Sequence, residues 1–140
     1  MNKMPRRKAL LVGSACLIGA FLGAENAFAG SYLNRSAVLL KGAELEATAL
    51  RARFFDKELA RLTHRLALTR AEASREMIVP PEVQKAHPHL LISMEAYERV
   101  AAAAVRGSQD EALVALARAR EETAIFVAVL KQAGWTLPRV

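Results

Sequence analysis

Cysteine and proline are scarce in this 140-residue chain, and aromatic residues make up only 6% of it. Cys16 is the single cysteine, so one chain cannot form a disulfide, a thiolate zinc site or an iron–sulfur centre, which need several thiols. Residues 34 to 78 contain no proline and one glycine, Gly42. No segment alternates polar and apolar residues as a half-buried strand does. These absences predict an all-α fold stabilised by buried apolar area.

The N-terminal segment has the three-part pattern of a bacterial export signal. A basic head ending at Lys8 precedes an apolar stretch, residues 9 to 24, and Ala27 and Ala29 supply the small residues of a cleavage site. We expect cleavage after Ala29 and localisation in the periplasm or outside the cell. The domains are then a signal peptide, residues 1 to 29, and a single helical domain, residues 30 to 140.

Two other fates of the leader stay open from the sequence. Cys16 is the residue that a lipoprotein signal would acylate, but no large apolar residue stands three positions before it. The leader could also remain as an anchor, although its sixteen apolar residues span only about 24 Å as a helix, against a bilayer core of ~30 Å. After cleavage we expect no membrane span.

The net charge argues against nucleic acid as a partner. The full chain carries 20 basic and 14 acidic residues, a formal charge of +6. Removal of residues 1 to 29 leaves 16 basic and 13 acidic residues, or +3. Basic residues also do not alternate with aromatic residues in the way that base-stacking surfaces require. We therefore expect no binding to nucleic acid.

Helix formers dominate the rest of the chain and predict three helices. The first spans residues 34 to 78 and ends before Pro80 and Pro81, and we expect a short helical turn over residues 82 to 86. The second runs over residues 88 to 106 and stops at Gly107; the third starts at a Ser108/Glu111 capping box and stops at Gly134. Beyond Gly134, we expect apolar residues to fold back onto the bundle end. The apolar seam predicted for the first helix comprises Leu45, Ala49, Ala52, Phe55, Leu59, Leu62, Leu66, Ala73 and Met77.

This pattern predicts a three-helix bundle in which a long N-terminal helix packs against a two-helix hairpin. The first helix would be ~68 Å long and the others ~28 and ~38 Å, so the hairpin is too short to cover it. The uncovered surface would comprise Leu45, Ala49, Ala52 and Phe55. Exposed apolar strips of this size are typical of partner surfaces. We expect coiled-coil-like pairing in an antiparallel homodimer, or binding to another envelope protein, unless the first helix breaks near Gly42.

Methionine and histidine side chains cluster around the turn between the first two helices. Met77, His87, His89 and Met94 combine thioether and imidazole groups, a set that suits copper and, through the histidines, zinc. The alternative function is accordingly a periplasmic metal-responsive or metal-carrying protein. Against it, Met77 and Met94 fall on the predicted inward stripes, where methionine fills gaps in a core.

No motif for catalysis is present in the sequence. It has no G-x-S-x-G turn and no glycine-rich phosphate loop. The carboxylate pairs Glu95/Glu98 and Glu121/Glu122 lie beside arginines on faces predicted to be solvated, where acid–base catalysis is not expected. We therefore predict no enzymatic activity and no cofactor. The favoured function is an exported, non-catalytic helical bundle that acts as an interaction or structural module and self-associates.

Overall fold

The computed structural model consists of helices joined by short turns. It describes the backbone of residues 7 to 140 and the side chains of residues 28 to 140, so the predicted leader lies almost wholly outside the described side chains. Within residues 7 to 140 there is no strand, and the predicted all-α class is confirmed. The elements are α1 (Arg7–Ala52), α2 (Lys57–Arg75), a 3-10 turn (Pro81–Val83), α3 (His87–Arg106) and α4 (Gln109–Gln132).

The prediction of one helix over residues 34 to 78 is wrong, because a turn at residues 53 to 56 divides it. Asp56 caps α2: its carboxylate accepts a hydrogen bond from the Leu59 amide at 3.0 Å and pairs with Arg53 at 2.5 Å. Phe54 is buried at the turn. The break also does not fall near Gly42, through which α1 continues. The three-helix layout is thus replaced by four helices, with α2 folded back on α1.

One ion pair joins α2 to α1, while the small side chains of α2 pack mainly against α3. The buried face of α2 consists of Ala60, Thr63, Ala67, Ala71 and Ser74. Such residues let two helix backbones approach closely. Arg70 of α2 donates to Glu46 of α1 at 2.5 Å, and its guanidinium lies over Gly42, where a Cβ would be only 2.8 Å from Nη2. Gly42 therefore provides the space for this ion pair.

The α3/α4 hairpin follows the sequence prediction closely. Gly107 ends α3 with a φ of 76°, and the Ser108 amide donates to the Ala103 carbonyl at 2.9 Å. The predicted Ser108/Glu111 capping box is wrong, because Ser108 makes no side-chain cap bond and Glu111 pairs with Arg106 instead. The core between these helices is built from large apolar side chains, all of them buried: Leu90, Met94, Tyr97, Leu116, Phe126 and Leu130.

The C-terminal segment closes one end of the bundle, as predicted. Gly134 has a φ of 87°, and the Trp135 amide donates to the Leu130 carbonyl at 2.9 Å. Trp135 and Leu137 are half-buried and pack against the core. Among the helices described here, none combines the length and the apolar character that crossing a bilayer requires.

Candidate interaction surface

Most of the large exposed apolar side chains of α1, α2 and the turn between them lie on one surface, which we call the outer face; Leu68, 48% exposed, lies on another side of α2. The outer face comprises Val38, Leu45, Ala49 and Ala52 on α1, Phe55 in the turn, and Leu62, Leu66 and Ala73 on α2. The exposed fractions of the large members are substantial: 58% for Val38, 60% for Leu45, 74% for Phe55, 56% for Leu62 and 40% for Leu66.

The two halves of the outer face meet along the line where α1 and α2 pack. Ala49 lies three residues after Glu46, and Leu66 lies four residues before Arg70, so each shares a side of its helix with one member of the ion pair. Because Glu46 and Arg70 contact each other, Ala49 and Leu66 border the same junction. The outer face is therefore one surface rather than two separate stripes.

An open groove of about 490 Å³ extends this surface toward one end of the α1/α2 pair. Its floor includes apolar side chains from both helices, and its rim carries the charged side chains of Arg35 and Glu76. The lining residues are Asn34, Arg35, Val38, Leu39, Ala73, Glu76 and Met77. A groove of this shape suits a helix or an extended side chain from another protein better than an enclosed small molecule.

Leu45, Ala49, Ala52 and Phe55, predicted as an interaction surface, are all exposed. The expected reason for their exposure was an overhanging helix, and that reason is wrong. In the structure they face outward because α1 buries a different stripe, which includes Leu40, Ala43, Ala47 and Leu50. The seam predicted along residues 45 to 77 as one straight line is folded at the turn, so that its exposed members on both helices lie on one side of the α1/α2 pair.

The histidines predicted as metal ligands contact different helices. Both lie in the first turn of α3, where two positions are separated by about 200° around the helix axis. His87 Nδ1 is hydrogen-bonded to the Tyr32 hydroxyl at 2.9 Å on α1, and His89 Nδ1 to Glu122 at 2.7 Å on α4. The structure thus does not bring the two imidazoles together.

The two methionines of that set are also separated from each other. Met94 is buried in the core, whereas Met77 is half-buried and lines the groove beside the outer face. Burial lowers the pKa of the His87 imidazole. In the part of the chain that the structure describes, no group of three or more His, Cys, Asp or Glu residues is placed to hold a metal ion.

A buried carboxylate that the sequence assigned to solvent lies between α3 and α4. Glu122 is 3% exposed; it forms an ion pair with Arg118 at 2.7 Å and a hydrogen bond with His89 Nδ1 at 2.7 Å. The interpretation of Glu121/Glu122 as a solvated pair is therefore wrong for Glu122. Because the Glu122 carboxylate is bonded to both Arg118 and His89, this cluster stabilises the packing of α3 on α4.

A second polar cluster joins α1 to the α3/α4 hairpin. Glu44 accepts from the Tyr97 hydroxyl at 2.7 Å and from Arg120 at 2.5 Å. Burial raises the pKa of the Glu44 carboxyl, but the hydrogen bonds from Arg120 and Tyr97 outweigh it and the pKa lies below the usual value. Burial together with the bond to Glu44 raises the pKa of Tyr97. A tyrosine predicted on an inward face indicates that some polar partner is needed, but not which one.

Comparison with known proteins supplies no further guide to the site. Among protein-family models, curated proteins and solved structures, nothing matches this chain.

Proposed function

We propose that this protein is an exported, non-catalytic helical bundle that binds a second copy of itself through the outer face. The observation that carries this proposal is that α2 buries small side chains and exposes large apolar ones. That helix packs alanine, serine and threonine inward and leaves Leu62 and Leu66 exposed. Leaving large apolar side chains in water is unfavourable, and a contiguous patch of them is typical of a protein–protein contact.

The outer face is favoured over the rest of the surface by its continuity. Other exposed apolar residues, such as Ile78 and Val114, are distributed over different elements. Scattered residues of that kind are normal on soluble proteins. On the outer face, five large side chains and three alanines lie side by side on one packed pair of helices.

Export is the part of the proposal that depends on the N-terminal pattern. Ala29, the predicted cleavage position, is fully buried within α1. A peptidase needs an extended and accessible chain, so cleavage there has to precede folding, as it does during translocation. Expression of the full sequence followed by mass determination of the envelope fraction tests this. A chain beginning at Gly30 supports export, whereas an intact chain in the cytosol contradicts it.

Self-association is tested by light scattering after size-exclusion chromatography at micromolar concentration, with one variant and one matched control. Leu45→Glu places a charge in the outer face of both copies and is expected to weaken the dimer ~30- to 150-fold, since the burial lost from the two copies is worth ~2 to 3 kcal/mol in total. Val114→Glu alters an equally exposed residue on α4, 72% exposed, and is expected to leave the dimer unchanged. A protein that is monomeric without substitution contradicts the proposal.

Of the two functions that the sequence allows, metal binding receives no supporting observation. His87 and His89 are bonded to different helices, and Met94 is enclosed in the core. Protein binding through the outer face is therefore the function that the geometry supports best.

A further inference from the structure

The exposed stripe of α2 has the spacing of a coiled-coil seam. Its members are Leu59, Leu62, Leu66, Thr69 and Ala73, separated alternately by three and four residues; Leu59 is half-buried against the core and the other four are exposed. This is the a/d repeat by which two helices interlock along their length. In the folded chain the stripe is directed away from the core, because the opposite side of α2 packs Ala60, Thr63, Ala67, Ala71 and Ser74 inward.

We infer, building on the proposed self-association, that two copies pair α2 with α2 antiparallel about a two-fold axis passing between Leu66 and Thr69. In this register Leu66 lies opposite the partner's Thr69, and Leu62 lies opposite the partner's Ala73. Each large side chain thus meets a small one, which is the complementarity that close packing of two helices requires.

Charge fixes this register. Arg65 and Glu72 flank the seam one heptad apart, on its edge away from α1, and both are exposed. Among the residues that the structure describes, neither side chain forms an ion pair within the chain, whereas Glu58, the preceding residue of the same edge, is bonded to Arg61 at 2.7 Å. In the inferred register Arg65 of each copy faces Glu72 of the other, giving two ion pairs across the interface.

The neighbouring registers are disfavoured. A shift by one heptad, to an axis between Leu62 and Leu66, places Arg65 against the partner's Arg65 and Glu58 against the partner's Glu72. Like charges so opposed are destabilising. A shift by a second heptad places the axis between Leu59 and Leu62. About half of α2 then extends past the partner, because α2 begins at Lys57 and the chain turns back there.

The α1 half of the outer face takes part in the same contact. Leu45 lies at the level of residues 67 to 69 on α2, since Val38 and Leu39 border Ala73 and Met77, and Leu50 borders Thr63. An axis between Leu66 and Thr69 therefore passes close to Leu45, which meets the partner's Leu45. The assembly is a four-helix arrangement in which α1 and α2 of one copy stack on α1 and α2 of the other.

Charge exchange tests the register on the protein expressed from its full sequence. Arg65→Glu and Glu72→Arg are each expected to raise the dimer dissociation constant about tenfold, because each replaces two attractions by two repulsions. The double variant Arg65→Glu/Glu72→Arg is expected to restore the original constant. The matched control is Glu82→Arg, an exposed acid in the 3-10 turn outside the outer face, which is expected to change nothing.

Cross-linking gives an independent measurement of the axis. In a Cys16→Ser background, Leu45→Cys is expected to yield covalent dimers with a short bis-maleimide, because the two copies of this residue lie together. Ala52→Cys is equally exposed but lies about 20 Å from its own copy along the paired helices, at ~1.5 Å per residue, and is expected to yield none.

The outcomes separate this register from the proposed function. A dimer that Leu45→Glu disrupts, but that the double charge exchange fails to restore, overturns the register and leaves self-association through the outer face intact. A dimer strengthened by Glu72→Arg alone indicates the axis between Leu62 and Leu66, where that substitution places a cation opposite the partner's Glu58, and also overturns the register. A monomer at all concentrations overturns both.

Discussion

The two halves of the bundle use their apolar residues in opposite ways. The α3/α4 hairpin places Leu90, Met94, Phe126 and Leu130 in the interior, each at most 1% exposed. Helix α2 instead buries small residues, mainly against α3, and the α1/α2 pair leaves Leu45 and other large side chains in water. The first half behaves as a domain core, and the second as a core on one side and a contact surface on the other.

The difference shows that a hydrophobic period does not by itself say which side of a helix is buried. On α3 and α4 one apolar stripe is available and is directed to the core. On α1 two stripes compete, one through Leu40, Ala47 and Leu50 and one through Leu45 and Ala52. The first stripe is buried because it faces α2, α3 and α4 once the chain turns at residues 53 to 56.

The largest expected effect compares one large side chain from each half. Phe126→Ala removes a fully buried ring from the α3/α4 core and is expected to lower the free energy of unfolding by ~3 to 5 kcal/mol. Leu62→Ala, on the outer face, is expected to lower it by no more than ~0.5 kcal/mol in the monomer. Urea unfolding at submicromolar concentration measures both. Equal losses would contradict the contrast between core and contact surface.

The same contrast explains which parts of the fold could be predicted from the sequence. Gly107 and Gly134 marked the ends of α3 and α4 because both occupy left-handed conformations that glycine favours. The turn before α2 contains neither glycine nor proline. The spacing of apolar residues by three and four therefore continues across this turn and predicts a single helix. Asp56, followed by Lys57 and Glu58, was the available signal, since aspartate is a preferred helix cap.

The polar clusters could not be predicted from spacing, because their members are far apart in sequence. Glu122 is held by His89, 33 residues away, and Glu44 by Tyr97, 53 residues away. Local sequence placed both glutamates among charged neighbours, which is typical of a solvated face. Their burial depends on how the helices pack. That packing depends on the turn at residues 53 to 56, which the spacing of apolar residues does not indicate.

The junction between the two halves is tested at alkaline pH. Burial raises the pKa of Tyr32 to about 12, from an ordinary value of 10.0, with a smaller opposing effect from Ser36. A pKa raised in the folded state gives stability that is complete below pH 10 and decreases as the pH rises toward 12. Tyr32→Phe is expected to reduce this decrease, measured as the difference in urea midpoint from the unsubstituted protein at each pH.

Tyr97 supplies the control for that experiment, since its pKa is also raised, by burial and by Glu44. Tyr32→Phe/Tyr97→Phe is expected to remove more of the alkaline loss than either single substitution. If the unsubstituted protein and Tyr32→Phe lost stability in parallel above pH 10, Tyr32 would not be the titrating group at the junction.

A smaller effect is expected at the turn that creates the outer face. Asp56→Ala removes the cap of α2 and is expected to cost ~1 kcal/mol of unfolding free energy. Asp56→Asn keeps an acceptor for the Leu59 amide, bonded at 3.0 Å, and is expected to retain a large part of that stability. Asp110→Ala, in the first turn of α4 rather than at a cap position, is the matched control. Equal losses at the two sites would show that the cap does not determine the turn.

The smallest effect, at Gly42, tests whether close packing of α1 on α2 is needed at the Glu46/Arg70 pair. Replacing a mid-helix glycine by alanine ordinarily stabilises a helix by ~1 kcal/mol. Here the new Cβ would lie 2.8 Å from Arg70 Nη2 and 3.0 Å from Nε, so the guanidinium must move off its partner. Losing a partly exposed ion pair costs ~0.5 kcal/mol, so the net gain at Gly42 should fall to about 0.5 kcal/mol. In an Arg70→Ala background, Gly42→Ala should recover the full ~1 kcal/mol, because nothing then occupies the space over Gly42. A gain of that size in both backgrounds would mean that the Glu46/Arg70 pair does not constrain this position.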